Sequence, residues 1–318
     1  MKDLTAPIKE HIPDYLDWLE LEKGLSSNSQ ENYSKFLKRF FEFLTVNKLD
    51  DLKPNELTPD HIWKYRLFLS RQYRQKNTSA LKRSTQNHYL VALRSLLGFF
   101  VEKDIPSLPP EKVKIPKNKD DEKIVNFLTL EQVEKLVQVV DISATKGLRD
   151  RAILEVLFST GLRVAELVAL NKEQINIKPE IIDLEVSIIG KGGHPRTVYF
   201  SERAVNWLIK YLKTRSDNEK ALFVNYAGKA PLTRLTIRSV ERLVKQYTLL
   251  AGLPLTTTTH TMRHSFATDL LMKGVDLRVV QEFLGHRNIA TTQVYTHVTK
   301  PHLREIHKKL HGMKDHGS

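Results

Sequence analysis

Residues 260–298 read HTMRHSFATDLLMKGVDLRVVQEFLGHRNIATTQVYTHV. His260 and Arg263 fall at a helix start, after the four threonines at 256–259. Helices are predicted after Thr261, after Asp276 and after Asn288, with a glycine turn at Gly285 just before His286. Tyr295 ends the stretch among apolar neighbours. Two further polar residues stand out upstream. Arg163 lies in STGLRVAELVALN, just after Gly161, where one helix ends and another begins. Lys191 lies in GKGGHPR, on the turn between two β-rich runs, residues 181–190 and 196–200. Taken singly, each position has an ordinary reading. The arginine is a surface residue, the histidine a cap, the tyrosine a half-buried core residue with its hydroxyl satisfied.

Together, two arginines, two histidines, a lysine and a tyrosine suit one reaction. Attack on a DNA phosphodiester builds negative charge on the equatorial oxygens at phosphorus. Two guanidiniums can clamp those oxygens in bidentate fashion. Histidines can donate hydrogen bonds or move a proton. A lysine near the leaving 5′ oxygen can act as general acid. A tyrosine can be the nucleophile, storing the bond energy in a phosphotyrosyl link. The cations come from the protein, so the scheme needs no metal and no cofactor.

The ordered set Arg163, Lys191, His260, Arg263, His286 and Tyr295 resembles the tyrosine recombinases, the λ-integrase family. The boxes TGLRVAEL, HTMRHSFATDLL and VVQEFLGHRNIATTQVYTHV most resemble its Xer branch. The resemblance covers the chain from about residue 127 to its end. It implies that Arg163 and Arg263 hold the scissile phosphate and that Lys191 protonates the leaving oxygen. It implies that His260 assists proton transfer, His286 hydrogen-bonds a phosphate oxygen, and Tyr295 attacks and becomes linked to the 3′ phosphate. Glu166, one turn after Arg163, is suited to orient a catalytic side chain, although an ordinary i, i+3 surface pair reads equally well. One departure is local: the family often has Leu or Pro near the histidine–arginine box, where this chain has a threonine run before Met262.

Outward from the motifs, the chain is mainly α-helical. Apolar positions at helical spacing (Ile12, Tyr15, Leu16, Leu19; Tyr33, Phe36, Leu37, Phe40, Phe41; Tyr89, Leu93, Leu96, Leu97, Phe100), with a third helix opening at Thr58–Pro59, predict four helices around one small core in residues 1–102. These helices resemble the family's SAM-like core-binding domain in size and helicity only. Residues 103–126 carry four prolines and many charges, and read as an extended linker. Thr129 and Gln132 then form a capping box, so the second domain, residues 127–318, is expected to be a mixed α catalytic domain with a small antiparallel β-hairpin.

The chain has 318 residues, 50 Lys and Arg against 37 Asp and Glu, and a net charge of +13. Both parts are basic, with 21 against 16 over residues 1–120 and 29 against 21 over 121–318. A polyanion is the natural partner, and a two-part basic clamp suits duplex DNA. Lys82, Arg83 and Arg94 are candidate DNA contacts. With no cysteine, a disulfide framework, a thiolate zinc site and a cysteine nucleophile are excluded. There is no signal-type apolar segment and no run of 18 apolar residues, so a cytoplasmic protein without a membrane is expected. His260 and His264 stand at the spacing of a zinc pair, as do His307 and His311. The glutamate of a metalloprotease motif is missing and no third ligand is evident, so no metal is expected.

Pro301 can open a tail helix over 301–313 with Leu303, Ile306, Leu310 and Met313 on one stripe. The family reading docks it on a neighbouring protomer, within a homo- or hetero-tetramer bound to two DNA duplexes; the plain reading packs it on its own domain. With the first helical domain expected almost at the start of the sequence, the simple Xer-like layout without an added arm-binding domain is expected. The expected activity is site-specific strand exchange through a 3′-phosphotyrosine and a Holliday junction, in Xer-like chromosome or plasmid dimer resolution. Mobile-element integration, a type IB topoisomerase and a non-catalytic DNA-binding protein are the alternatives.

Overall fold

The structure is a computed structural model. It describes residues 6–71, 81–116, 126–175, 184–190, 193–226, 232–286, 292 and 295. Lys191, the helix expected after Asn288 and the tail helix over 301–313 lie outside these. The chain divides into two units, Met1–Asp121 and Glu122–Ser318.

The first unit holds α1 (Ile12–Leu21), α2 (Ser27–Val46), α3 (Pro59–Arg71) and α4 (Arg83–Glu102). The helical stripes meet as their spacing requires: Tyr15, Leu19, Leu37, Phe40, Leu93, Leu96 and Phe100 are all buried in one cluster. Aromatic rings dominate it, with Phe40 set edge-on to Tyr65 at 5.1 Å. Thr58 Oγ1 accepts the backbone N–H of His61 at 3.4 Å, and Pro59 opens α3. The proline-bearing stretch after α4 differs from a plain spacer. Ile105, Leu108 and Val113 are buried in this same core, and Asn87 Nδ2 donates to the Pro116 carbonyl at 3.0 Å. Its apolar residues follow neither helical nor strand spacing, yet extended chain can lay Ile105, Leu108 and Val113 each onto the bundle.

In the second unit, α5 (Leu130–Gln138) opens with the reciprocal capping box of Thr129 and Gln132. It is followed by α6 (Thr145–Thr160), α7 (Val164–Ala169), β1 (Leu184–Ile189), β2 (Pro195–Phe200), α8 (Glu202–Leu212), β3 (Val224–Asn225), β4 (Thr233–Arg234), α9 (Ile237–Leu250), α10 (Thr259–Met272) and α11 (Leu277–Leu284). The fold is mostly helical. Among the described residues there are also two two-stranded antiparallel sheets, β1 pairing with β2 from Leu184↔Phe200 to Ile189↔Pro195 and β3 with β4. On β1 the alternation Leu184, Val186, Ile188 faces inward.

The central element is α6, which is buried on nearly all sides. Its charged residues are therefore paired: Arg149 with Asp150, and Arg151 with Glu155, while Tyr247 Oη donates to Asp150 at 2.9 Å. The hairpin of β3 and β4, two residues a side, is too short to leave a period-2 pattern. It matters nonetheless, because Arg234 Nη1 donates to the carbonyls of Val168 and Leu170 and so satisfies the end of α7.

The helix expected after Thr261 begins earlier, at Thr259, because Thr258 is the cap: its hydroxyl accepts the Thr261 N–H at 3.2 Å. The threonine run is thus a helix start, with Thr257, Thr259 and Thr261 buried beside Met262. A small separate cluster forms where α10 and α11 meet. It contains Ala267, Leu271, Val280, Leu284 and the ring of Tyr295.

Candidate active site

Two helix ends build the site. α6 stops at Gly161, which takes the left-handed conformation at φ +59°; α11 stops at Gly285, at φ +62°. A side chain at either would collide. A Cβ at Gly161 would come within 2.4 Å of Phe266, and one at Gly285 within 2.7 Å of Arg196. Helices end with carbonyls that have no partner inside the helix, and these carry the negative end of the helix dipole. Arg263, on α10, collects both ends. Its Nη1 donates to the Gly161 carbonyl at 2.6 Å and its Nη2 to the Leu284 carbonyl. The side chain is only 1% exposed. Burial, then the neighbouring Arg163, press its pKa down to about 9, so it remains a cation at neutral pH.

Arg263 also sets the state of His286. A guanidinium can only donate, so Nε2 of His286 accepts from Arg263 Nη2 at 3.0 Å. The other ring nitrogen, Nδ1, then carries the proton and donates to Thr292 Oγ1 at 2.9 Å. Burial, Arg263 and Arg163 lower the His286 pKa to about 4, which keeps this neutral tautomer. His286 is thus turned to Arg263 with an acceptor, and its N–H is engaged by Thr292.

Arg163 caps α7. Its backbone N–H donates to Glu166 Oε2 at 2.8 Å and its Nη1 to Oε1 at 3.0 Å. Glu166 is buried, and it has a second partner that sequence spacing does not reveal. Arg196, from β2, donates Nη1 to Oε1 at 2.9 Å and Nη2 to Oε2 at 2.8 Å. Burial alone would raise the Glu166 pKa. The hydrogen bonds from Arg196 and Arg163 outweigh it and hold the carboxyl at about 2. Gly190, the residue before Lys191 in the chain, adjoins this pair: a Cβ there would sit 2.9 Å from Arg196 Nη1 and 3.8 Å from a Glu166 oxygen.

His260, at the first turn of α10, is exposed, and burial of part of its ring, with Arg263 and Arg163 nearby, lowers its pKa. One turn on, His264 turns to the tyrosine. Its Nδ1 lies 2.6 Å from Tyr295 Oη, a hydrogen bond, and its ring stands edge-on to His260 at 4.4 Å. Burial, His260 and Arg263 lower the His264 pKa to about 4. Tyr295 itself is buried, which raises its hydroxyl pKa to about 12 against the opposing pull of Arg263 and Arg163.

Arg163, His260, Arg263, His286 and Tyr295 therefore come together, with Glu166 behind Arg163. Lys191 lies outside the described residues. Arg196 and His264 join the group without having been singled out for it. No local pattern pointed to Arg196, and His264 had been weighed only as half of a zinc pair. In the first unit, Lys82 caps α4 and Arg83 and Arg94 lie along it. All three are exposed and make no ion pair among the described residues.

The phage integrase family profile matches residues 126–302, and that family's N-terminal SAM-like domain matches residues 12–104. The chain is 33% identical to the tyrosine recombinase XerD of Staphylococcus epidermidis over 311 residues, covering 94% of this chain and 98% of that protein. The XerD of Staphylococcus aureus gives the same identity and coverage. Among solved structures, the XerA recombinase is 26% identical with a TM-score of 0.51, covering 96% of this chain and 99% of that one. XerH bound to its difH substrate before cleavage is 22% identical with a TM-score of 0.71 and covers 96% of each chain. The Tn1549 transposon integrase in complex with transposon right-end DNA is 19% identical with a TM-score of 0.68, over 95% of this chain and 98% of that one. With both domains matched and a curated relative aligned almost end to end, the chain belongs to the phage integrase family of tyrosine recombinases and is Xer-like within it.

Proposed function

We propose that this recombinase cuts DNA with Tyr295 inside a pocket of protein cations, with the six residues Arg163, Lys191, His260, Arg263, His286 and Tyr295 sharing the work. Arg163 and Arg263 receive the scissile phosphate and neutralise the charge that grows on its oxygens. The Tyr295 oxygen forms a bond to phosphorus as the bond to the 5′ oxygen breaks. Lys191 supplies the proton that the 5′ oxygen takes. The 3′-phosphotyrosyl link conserves the phosphoester, so a 5′ hydroxyl from a second duplex can reverse the step and exchange strands. His260 moves a proton at the phosphate. His286 gives a hydrogen bond to a phosphate oxygen once the phosphate displaces its contact with Arg263 and the ring proton moves from Nδ1 to Nε2.

One observation supports this reading above the others. A fully buried arginine is held between two helix ends, and the buried Tyr295 lies within electrostatic reach of it and of Arg163. Burying a cation in this way is costly, and a phosphate anion is the partner that offsets it. Glu166 keeps Arg163 oriented.

The protein acts on a duplex recombination site, as a homo- or hetero-tetramer on two duplexes, with the first helical unit and the catalytic unit both contacting DNA. The working layout is residues 1–102 for core binding, 103–126 as the connection and 127–318 for catalysis, with the tail helix over 301–313 linking protomers. Lys82, Arg83 and Arg94 contact phosphate or base edges. The role is resolution of chromosome or plasmid dimers in the cytoplasm, supported by the relationship to XerD proteins. No helix among the described residues is long and apolar enough to cross a membrane.

The test is covalent capture. The protein is incubated with a library of nicked duplexes, and whatever DNA becomes attached is sequenced. Attachment at Tyr295 to a 3′ phosphate, abolished in Tyr295→Phe with DNA binding retained, is the expected result. Persistent adduct in Tyr295→Phe removes the nucleophile assignment.

A further inference from the structure

The hydroxyl that attacks must lose a proton, and among the described residues its hydrogen bond runs to His264 and not to His260, the histidine given a proton-moving role above. Three features meet at one place. His264 Nδ1 and Tyr295 Oη are 2.6 Å apart. The two rings lie edge to face at 5.3 Å, with the tyrosine ring buried among Ala267, Leu271, Val280 and Leu284. His264 is next in the chain to Arg263, so the acceptor is carried by the same helix as the phosphate clamp. We propose that His264 is the general base of strand cleavage, taking the phenolic proton of Tyr295 on Nδ1 as the tyrosine attacks. The inference deepens the reading above and rests on Tyr295 being the nucleophile.

The proton count closes. As the Oη–P bond forms, the Oη–H bond breaks and its proton passes to Nδ1, leaving an imidazolium. The P–O5′ bond breaks and the 5′ oxygen is protonated from the acid side of the pocket. In rejoining, a 5′ hydroxyl gives its proton back to the acid, Lys191, as it displaces the tyrosine, and the imidazolium returns the proton to Oη.

The surroundings make this base dependent on substrate. The groups that bear on His264 are His260 and Arg263 on α10 and Tyr295 on the C-terminal segment. In the free protein, burial, with His260 and the Arg263 cation beside it, keeps the imidazole neutral and weakly basic. A phosphate seated on Arg263 offsets that positive charge and raises the basicity of His264. The proton is then accepted when DNA is present, and the free enzyme keeps its tyrosine protonated.

A hydrogen-bond anchor without proton transfer is the competing role, and His264→Asn separates the two. The Asn Oδ1 sits where Nδ1 sat and can accept from Oη, but it cannot take up the proton. The measurement is single-turnover formation of the covalent complex by the full chain on a nicked duplex. His264→Asn is expected to bind DNA normally and to cleave about 10²-fold more slowly. Replacing Tyr295 in that variant by a ring-fluorinated tyrosine, whose hydroxyl ionises more easily, should restore most of the rate. A 5′-bridging sulfur, which needs no proton to leave, should not. Cleavage by His264→Asn within about threefold of the parent overturns the proposal. So does rescue by the sulfur substrate and not by the fluorinated tyrosine. If His264→Asn is less stable, the pattern of rescue still decides. Adduct formed by Tyr295→Phe would strike the nucleophile itself, a failure distinct from that of His264.

Discussion

Arg196 grips both carboxylate oxygens of Glu166, at 2.9 Å and 2.8 Å, and through that one carboxylate it steadies Arg163. The link joins the β1–β2 hairpin to the start of α7. It also explains the glycine at 285, since a side chain there would strike the Arg196 stem. Arg196→Met leaves a buried carboxylate with one guanidinium in place of two. Loss of about 3 kcal/mol is expected in urea denaturation. Covalent complex formation should fall at least tenfold, about 1.4 kcal/mol in the barrier, while DNA binding holds. A variant with parental stability and cleavage would show that Arg163 needs no such support.

Arg263 binds the carbonyls that end α6 and α11, a task set by its forked geometry. A lysine offers one point charge and cannot reach both carbonyls while facing a phosphate. Arg263→Lys should lose about 1–3 kcal/mol of stability from the carbonyl left unpartnered. Its cleavage rate should drop about 10²-fold or more. Thermal unfolding and single-turnover cleavage check the two effects separately.

Acid should weaken this protein in two steps. His264 and His286 have folded pKa values near 4, below the ordinary 6.5, so the unfolded chain binds protons first. Their contribution is complete above pH 6.5 and is lost as pH falls toward 4. Glu166, at about 2 against an ordinary 4.5, contributes fully above 4.5 and loses its share from there down to about 2. Urea denaturation across pH 7 to 2 should show both limbs. His264→Asn should flatten the upper limb and Glu166→Gln the lower one. A stability that rises on acidification would contradict the burial of all three groups.

Arg83 and Arg94 are eleven residues apart, three turns of α4, and so share a face, with Lys82 at the helix start. If they meet phosphates, neutralising each should lower the slope of log affinity against log salt by about one unit. Binding should weaken alike on target and random duplexes. A change in sequence preference at one base pair would instead mark that residue as reading a base edge.

Much of the helical layout was legible because it is local. Thr58–Pro59 and Thr129 with Gln132 announce helix starts through bonds made within one turn, and Gly161 announces an end because only glycine takes φ +59° at little cost. The apolar stripes of α1, α2 and α4 likewise depend on helical periodicity alone. The motif residues could be named from their order and chemical types. Their partners could not. Arg196 reaches Glu166 across 30 residues, Arg263 reaches Gly161 across 102, and His264 meets Tyr295 across 31. Nearest-neighbour sterics carry no trace of such pairings. They arise when separate helices pack and their unsatisfied ends must find donors in the buried interior. For that reason the spacing of His260 and His264, weighed as a zinc pair and set aside, gave no sign of the tyrosine, and only the packed chain turned His264 toward it.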